Sequence, residues 1–271
     1  MTQRIITALI MAAVAITLLA IGGVVMAAAV MLVICLAVYE EFHALWKAGH
    51  RPVCWPTWVG LALSVPLMAL GGAEMLVPIA VSVCLVTVGC IMFRPEPKLE
   101  DCLMSVLPLL SVVLPGMCAM RLALIPDHTV QICMMLLLLA IPCVGDIAAL
   151  FVGSAMKGPK LCPAVSPNKT ISGAVGGLIG SLVASLLVGL LVSLFAGASY
   201  PGLPAWWHYV LLGVIGGAVG QIGDLFASLV KRHCGIKDFA NLFPGHGGML
   251  DRMDSILFMA LVMMCYRLLV G

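Results

Sequence analysis

The chain has 271 residues, of which 63% are hydrophobic and only 10% charged, and its mean hydropathy is +1.18. A soluble domain carries about a quarter charged residues because its surface must face water, so this composition excludes a disordered protein and points to lipid as the solvent. The net charge of +2 gives no basis for nucleic-acid binding.

A bilayer span takes about 20 apolar residues. Apolar runs separated by charged or Gly/Pro-rich breaks predict helices at 5–19, 21–39, 58–70, 75–93, 102–122, 130–152, 171–196, 207–230 and 255–270. The expectation is therefore all-α: a polytopic integral membrane protein with about nine transmembrane helices. About five of them fall in an N-terminal block, 1–128, and the rest in a C-terminal block, 129–271. The first two runs could equally be one helix broken at Gly22-Gly23. Eleven cysteines, an odd number with no Cys-x-x-Cys pair, sit mostly inside apolar runs, so neither a disulfide framework nor a zinc site is indicated.

Charge distribution sets the orientation. If the N-terminus and every second loop share one side, that side holds twelve of the fourteen Lys and Arg residues, and only Arg121 and Arg267 fall elsewhere. The positive-inside rule assigns that side to the cytoplasm. The loops 153–170 and 231–252 then face the same compartment, with Cys162 and Cys234 as their markers.

A charge within a span costs about 2.5–3.5 kcal/mol, so each needs a partner or a purpose. Asp146 and Asp224 lie inside apolar runs after small residues, and either could simply be the counter-ion of a buried Lys or Arg. Asp251 and Asp254 are three apart at the start of the last span, on one face of a helical turn. Helix capping accounts for one such carboxylate better than for two. With a third from a neighbouring helix they form an oxygen-rich set suited to Mg²⁺, which binds phosphate oxygens through one or two carboxylates.

Around them lie cations and glycines. Lys231-Arg232 follow a span, Lys237-Asp238 come next, and the loop closes on Pro244-Gly245-His246-Gly247-Gly248. His246 is as readily a turn residue as a base. The earlier loop repeats the theme with Lys157, Lys160 and Ser166-Pro-Asn-Lys169-Thr170 before the glycines of the next helix. Helix N-termini and backbone N–H groups with nearby Lys or Arg suit a highly phosphorylated ligand.

The 27 residues 228–254, with their Ser, Lys-Arg, Lys-Asp, Pro, His-Gly-Gly, Asp-Arg and Asp, resemble the signature of the CDP-diacylglycerol synthases, also called phosphatidate cytidylyltransferases. Gly223-Asp224-Leu225-Phe226 and Val165-Ser-Pro-Asn-Lys-Thr170 extend the resemblance. It weakens near Asp146, where the family's Asp-x-Gly-Ala-Tyr is replaced by Asp146-Ile-Ala-Ala-Leu150, and after Thr170, where Ser172 takes the place of an acidic or amide residue.

The resemblance implies a multi-span enzyme, often a homodimer, that joins CTP to phosphatidate and releases pyrophosphate, using Mg²⁺ with K⁺ as a second metal. Carried onto this chain, it implies metal binding by Asp224, Asp251 and Asp254 and catalysis by Asp224, Lys231, Arg232 and Asp251. Asp146, Ser166, Lys169, Lys237 and Asp238 would bind substrate. It also implies a bacterial inner-membrane location with the site facing the cytoplasm. The competing reading is an ion-coupled transporter using the intramembrane aspartates, against which stands the lack of any inverted repeat.

Overall fold

The computed structural model describes residues 2–197, 200–242 and 247–270, with side chains for all of these except 2–6, 8, 69, 71 and 73. The helices are α1 (Thr2–Ile21), α2 (Gly23–Lys47), α3 (Trp55–Gly71), α4 (Leu76–Met92), α5 (Leu99–Pro108), α6 (Leu114–Ala123), α7 (His128–Met156), α8 (Ile171–Ala196), α9 (Trp206–His233) and α10 (Leu250–Val270). A short antiparallel hairpin, β1 (Lys160–Cys162) and β2 (Ser166–Thr170), joins α7 to α8.

Every predicted run is helical, and α8 has the predicted limits. Physical punctuation explains the rest. Gly22 and Gly23 have φ of 64° and 52°, so the apolar stretch from Thr2 to Lys47 breaks there instead of forming one rod. The predicted 102–122 span is α5 and α6 joined through a π-helical turn, Leu109–Val113. Pro115 has no N–H to offer the carbonyl four residues back, and the N–H of Leu114 reaches five back, to Leu109. Asp127 caps α7 by accepting from the Val130 N–H at 3.0 Å. Thr170 caps α8 by accepting from Gly173 N–H at 3.1 Å.

Among the described residues six stretches are long and apolar enough to cross a membrane: α2, α5 through α6, and α7 to α10. The expected nine crossings are thus matched by six. The helices α3 and α4 have 17 residues each, about 25 Å at 1.5 Å per residue, against a hydrocarbon core of about 30 Å.

Contacts sort the connections into two ends. At one, the Arg51 N–H donates to Asp101 at 2.9 Å, Arg94 donates to the Arg51 carbonyl at 2.7 Å, and His50 meets His233. At the other, Tyr200 donates to Asp127 at 2.9 Å, Tyr266 meets His208 at 3.1 Å, and a β-carbon on Gly22 would strike Gln131 and His128. The loops 48–54, 93–98 and 157–170 and the described residues of 234–242 and 247–249 share the first end.

The two halves pack differently. Around α2, α6 and the first half of α7 the core is bulky, with Ile34, Phe42, Leu45, Met117, Leu122, Met134 and Leu137 fully buried. Between α7, α8 and α9 it is a seam of small residues. A β-carbon on Gly177 would lie 3.2 Å from that of Ala149 and 2.8 Å from the Gln221 amide, and one on Gly213 would lie 2.8 Å from the Leu182 backbone. Ser181 and Ser185 satisfy their hydroxyls across this seam by donating to the carbonyls of Ile141 at 2.9 Å and Tyr209 at 2.7 Å.

Candidate active site

Close backbones let short side chains converge. At the first end of the bundle, α7, the hairpin, α8, α9 and α10 surround a cavity of about 870 Å³. Five cations (Lys157, Lys160, Lys169, Lys231 and Arg252) and five aspartates (146, 224, 238, 251 and 254) line it, so its formal charge balances.

Two ion pairs use part of that charge. Lys169, at the end of β2, lies 2.5 Å from Asp224 of α9, and Lys231 lies 2.8 Å from Asp251 of α10. The Lys231 ammonium also stands 5.5 Å from the Phe239 ring centre, over its face. Asp251 is buried and heavily engaged: Oδ1 takes Lys231, while Oδ2 accepts from the N–H groups of Phe239 and Gly248, both at 2.9 Å. It therefore holds Phe239 and Gly248 against the start of α10, with one Oδ1 lone pair to spare.

Asp146 and Asp254 have no ion-pair partner among the described residues. They face each other across Ser255, whose hydroxyl lies 3.4 Å from Asp146 and 3.5 Å from Asp254. Asp224 is close enough to bear on both electrostatically. No group of three or more potential ligands is gathered around a single point among the described residues. The donors nonetheless fit a hard divalent ion, because such an ion needs only one or two carboxylates when phosphate and water complete its shell, and neighbouring carboxylates without a basic partner are relieved by a cation.

The structure brings seven of the predicted residues to the cavity: Asp146, Lys169, Asp224, Lys231, Asp238, Asp251 and Asp254. Three stand apart from its lining. Arg232 donates to the carbonyls of Val165 and Ile236, both at 3.4 Å, and so ties the hairpin turn to the loop. Lys237 is exposed, and Ser166 opens β2 beside the hairpin turn. His246, with Phe243, Pro244 and Gly245, lies outside the described residues.

Sequence reasoning missed Ser255 and Arg252 as site residues, and it read Lys157 and Lys160 as part of a basic loop suited to phosphate without naming them as site residues. No ion pair involves Lys157, Lys160 or Arg252 among the described residues, so all three are available to an anion. Lys157 closes α7 in the left-handed region, φ 44°, a conformation costing roughly 1–2 kcal/mol for a residue with a β-carbon. Its strain turns the chain into the hairpin at the cavity rim.

Comparison with known proteins bears on this site. Residues 2–270 match the profile of the cytidylyltransferase family. A phosphatidate cytidylyltransferase of Brucella suis is 43% identical over 111 residues, 41% of this chain and 38% of the relative. That of Bacillus subtilis is 37% identical over 113 residues, 42% of this chain and 39% of the relative. The matched stretch thus spans under two fifths of either relative. A phosphatidate cytidylyltransferase of Synechocystis is 31% identical over 285 aligned positions, 96% of this chain and 94% of the relative.

Proposed function

Since the chain belongs to the cytidylyltransferase family, we propose that it joins CTP to phosphatidate, forming CDP-diacylglycerol and releasing pyrophosphate. One observation carries the reading: a large cavity at one end of apolar helices, lined by five cations and five aspartates. It matches two polyanionic substrates, one of them anchored in lipid.

The lipid phosphate has a second pKa of about 6 by analogy with phosphoproteins, so near neutral pH its oxygen is already anionic and no general base is required. The obstacle is repulsion between that oxygen and the triphosphate. The oxygen attacks the α-phosphorus of CTP, and the bond from that phosphorus to the bridging oxygen breaks, leaving its electron pair on pyrophosphate. Lys231, held by Asp251 and Phe239, and Lys169, held by Asp224, would fix two phosphate groups within reach of each other. Lys157, Lys160 and Arg252 would receive the remaining charge. Asp224 and Asp254, with the spare lone pair of Asp251, would hold Mg²⁺, with K⁺ as a second ion, and this metal would offset charge on the phosphates.

The same reading places the first end of the bundle in the cytoplasm of a bacterial inner membrane and makes the protein a homodimer. It also has α1, α3 and α4 enter the bilayer, tilted or thinning it locally. The clustering of basic residues at the first end supports the orientation. Cys162 is the probe: a membrane-impermeant thiol reagent should label it in inside-out vesicles only. Cys234 is buried and unsuited to this use. Charges gathered at one end of the bundle favour the enzyme over an ion-coupled transporter, whose ligands belong near the midplane.

The deciding experiment supplies detergent-purified protein with phosphatidate, CTP and Mg²⁺, and follows pyrophosphate and CDP-diacylglycerol with and without EDTA. Equal, metal-dependent appearance of both products is expected. A folded sample forming neither would overturn the proposal.

A further inference from the structure

The N-terminal half supplies one residue that reaches the signature directly. Glu40 lies in the last two turns of α2, where its own helix gains nothing from an anion, yet it is 5% exposed. Its Oε1 accepts the N–H of Met249 at 2.8 Å, and its Oε2 accepts the N–H of Leu250, also at 2.8 Å. These donors sit at the start of α10, where helical N–H groups have no partner of their own, immediately before Asp251. A β-carbon on Gly248 would lie 2.8 Å from the Glu40 carboxyl carbon. Gly248 is not among the glycines with positive φ, so the glycine provides room for the carboxylate and not a special backbone conformation.

We infer that Glu40 is a positioning residue for the nucleotidyl-transfer site: by clamping the first turn of α10 from α2, it fixes where Asp251 and Asp254 stand. The inference rests on the function proposed above. Within the signature Asp251 accepts the Gly248 N–H, but the N–H groups of Met249 and Leu250 at the start of the helix are left to an acceptor from elsewhere. A buried anion 209 residues earlier in the chain satisfies both, and the same turn then presents Asp251 to Lys231 and Asp254 to the cavity.

The test compares full-length wild type with Glu40→Gln and Gly248→Ala in detergent. The glutamine offers one acceptor oxygen and turns an NH₂ toward the other donor. The alanine keeps the charge and both N–H groups but pushes the carboxylate away. Each should lower kcat or raise the Mg²⁺ concentration for half-activation about 10- to 100-fold, as loss of groups that orient metal ligands commonly does. Amide exchange in residues 248–254 should accelerate in both, while the rest of α10 stays protected. A structural tether alone would lower the unfolding temperature and leave Mg²⁺ half-activation untouched.

Unchanged kinetics and metal dependence in folded Glu40→Gln would overturn the inference, whether or not exchange changes. If that variant does not fold, Gly248→Ala decides by the same criteria. Should wild type itself form no CDP-diacylglycerol, the proposed function fails separately. The exchange measurement then decides alone, and unaltered protection of residues 248–254 overturns the clamp.

Discussion

The half of the chain up to α6 and the half from α7 onward solve the same burial problem with different residues. In the first, Ile34, Phe42, Leu45, Met117 and Leu122 fill the space between helices, and the carboxylates buried with them, Glu40 and Glu41, do not gather into a charged cavity. In the second, Gly145, Gly177 and Gly213 let α7, α8 and α9 approach until a β-carbon would collide. Only at that separation can carboxylates as short as Asp146, Asp224 and Asp254 share one cavity. Bulky packing makes a support, and small-residue packing makes a charged cavity, the reaction chamber of the proposed function. The first half meets the second through α2, where Glu40 touches the loop carrying the signature.

If this division of labour is right, damage to the chamber should abolish chemistry before it touches stability. Asp251→Asn should cut turnover at least about 100-fold, the scale of losing a fixed electrostatic group at a reacting phosphate. It releases Lys231 and leaves a neutral acceptor for the Phe239 and Gly248 N–H groups. Product formation by purified protein measures this, and near-normal turnover would remove Asp251 and Lys231 from the mechanism. Asp224→Asn frees Lys169 and should cost about 10- to 100-fold, seen mainly as a higher Mg²⁺ requirement. A variant whose metal titration is unchanged would exclude Asp224 as a ligand.

The seam itself is open to a stability test. Gly177→Leu places a side chain against Ala149 and Gln221 and should destabilise by about 1–3 kcal/mol, the usual cost of overpacking, with activity falling because the chamber walls separate. Thermal unfolding in detergent reads it. A leucine tolerated at full stability would mean that α7 and α8 are not held together as tightly as the glycines imply.

Much of this was legible in the chain. Apolar run length locates every helix, and the punctuation at Gly22-Gly23 is visible by inspection. Seven of the ten candidate site residues reach the cavity. Asp146, Asp224, Asp251 and Asp254 are legible because a charge in or at the start of an apolar run is expensive wherever it lies, while Lys169, Lys231 and Asp238 stand out only as loop and helix-end charges and through the family resemblance. What escaped is relational. Arg232 and Lys237 read as phosphate ligands from composition, but which way a loop side chain turns depends on the hairpin packed beside it. Asp251 reads as a metal ligand, while its engagement with two backbone N–H groups emerges only once the loop folds back. Glu40 falls one residue past the predicted 21–39 run and reads as a charge that ends a span, whereas α2 continues to Lys47 and buries it. Its partner, an uncapped helix start in the last tenth of the chain, has no sequence mark that points back to it.

The smallest expected effect bears hardest on the comparison. Among the described residues two side-chain hydrogen-bonded ties join the end of α2 and the loop after it to the second half: the buried Glu40 clamp, and the exposed pair of His50 with His233, whose rings stack 5.0 Å apart and whose Nε2 atoms lie 2.8 Å from each other. Water replaces an exposed hydrogen bond at little cost, so His50→Ala should change stability by no more than about 0.5 kcal/mol and leave Mg²⁺ half-activation where it was. Glu40→Gln breaks a contact between the same two regions, but at a buried helix start one residue from Asp251. If both variants lost activity alike, any loosening of α2 from the second half would suffice and the first half would be a general brace. A loss confined to Glu40→Gln means that the brace acts at one place, the first turn of α10, and that the rest of the N-terminal packing serves to hold that carboxylate still.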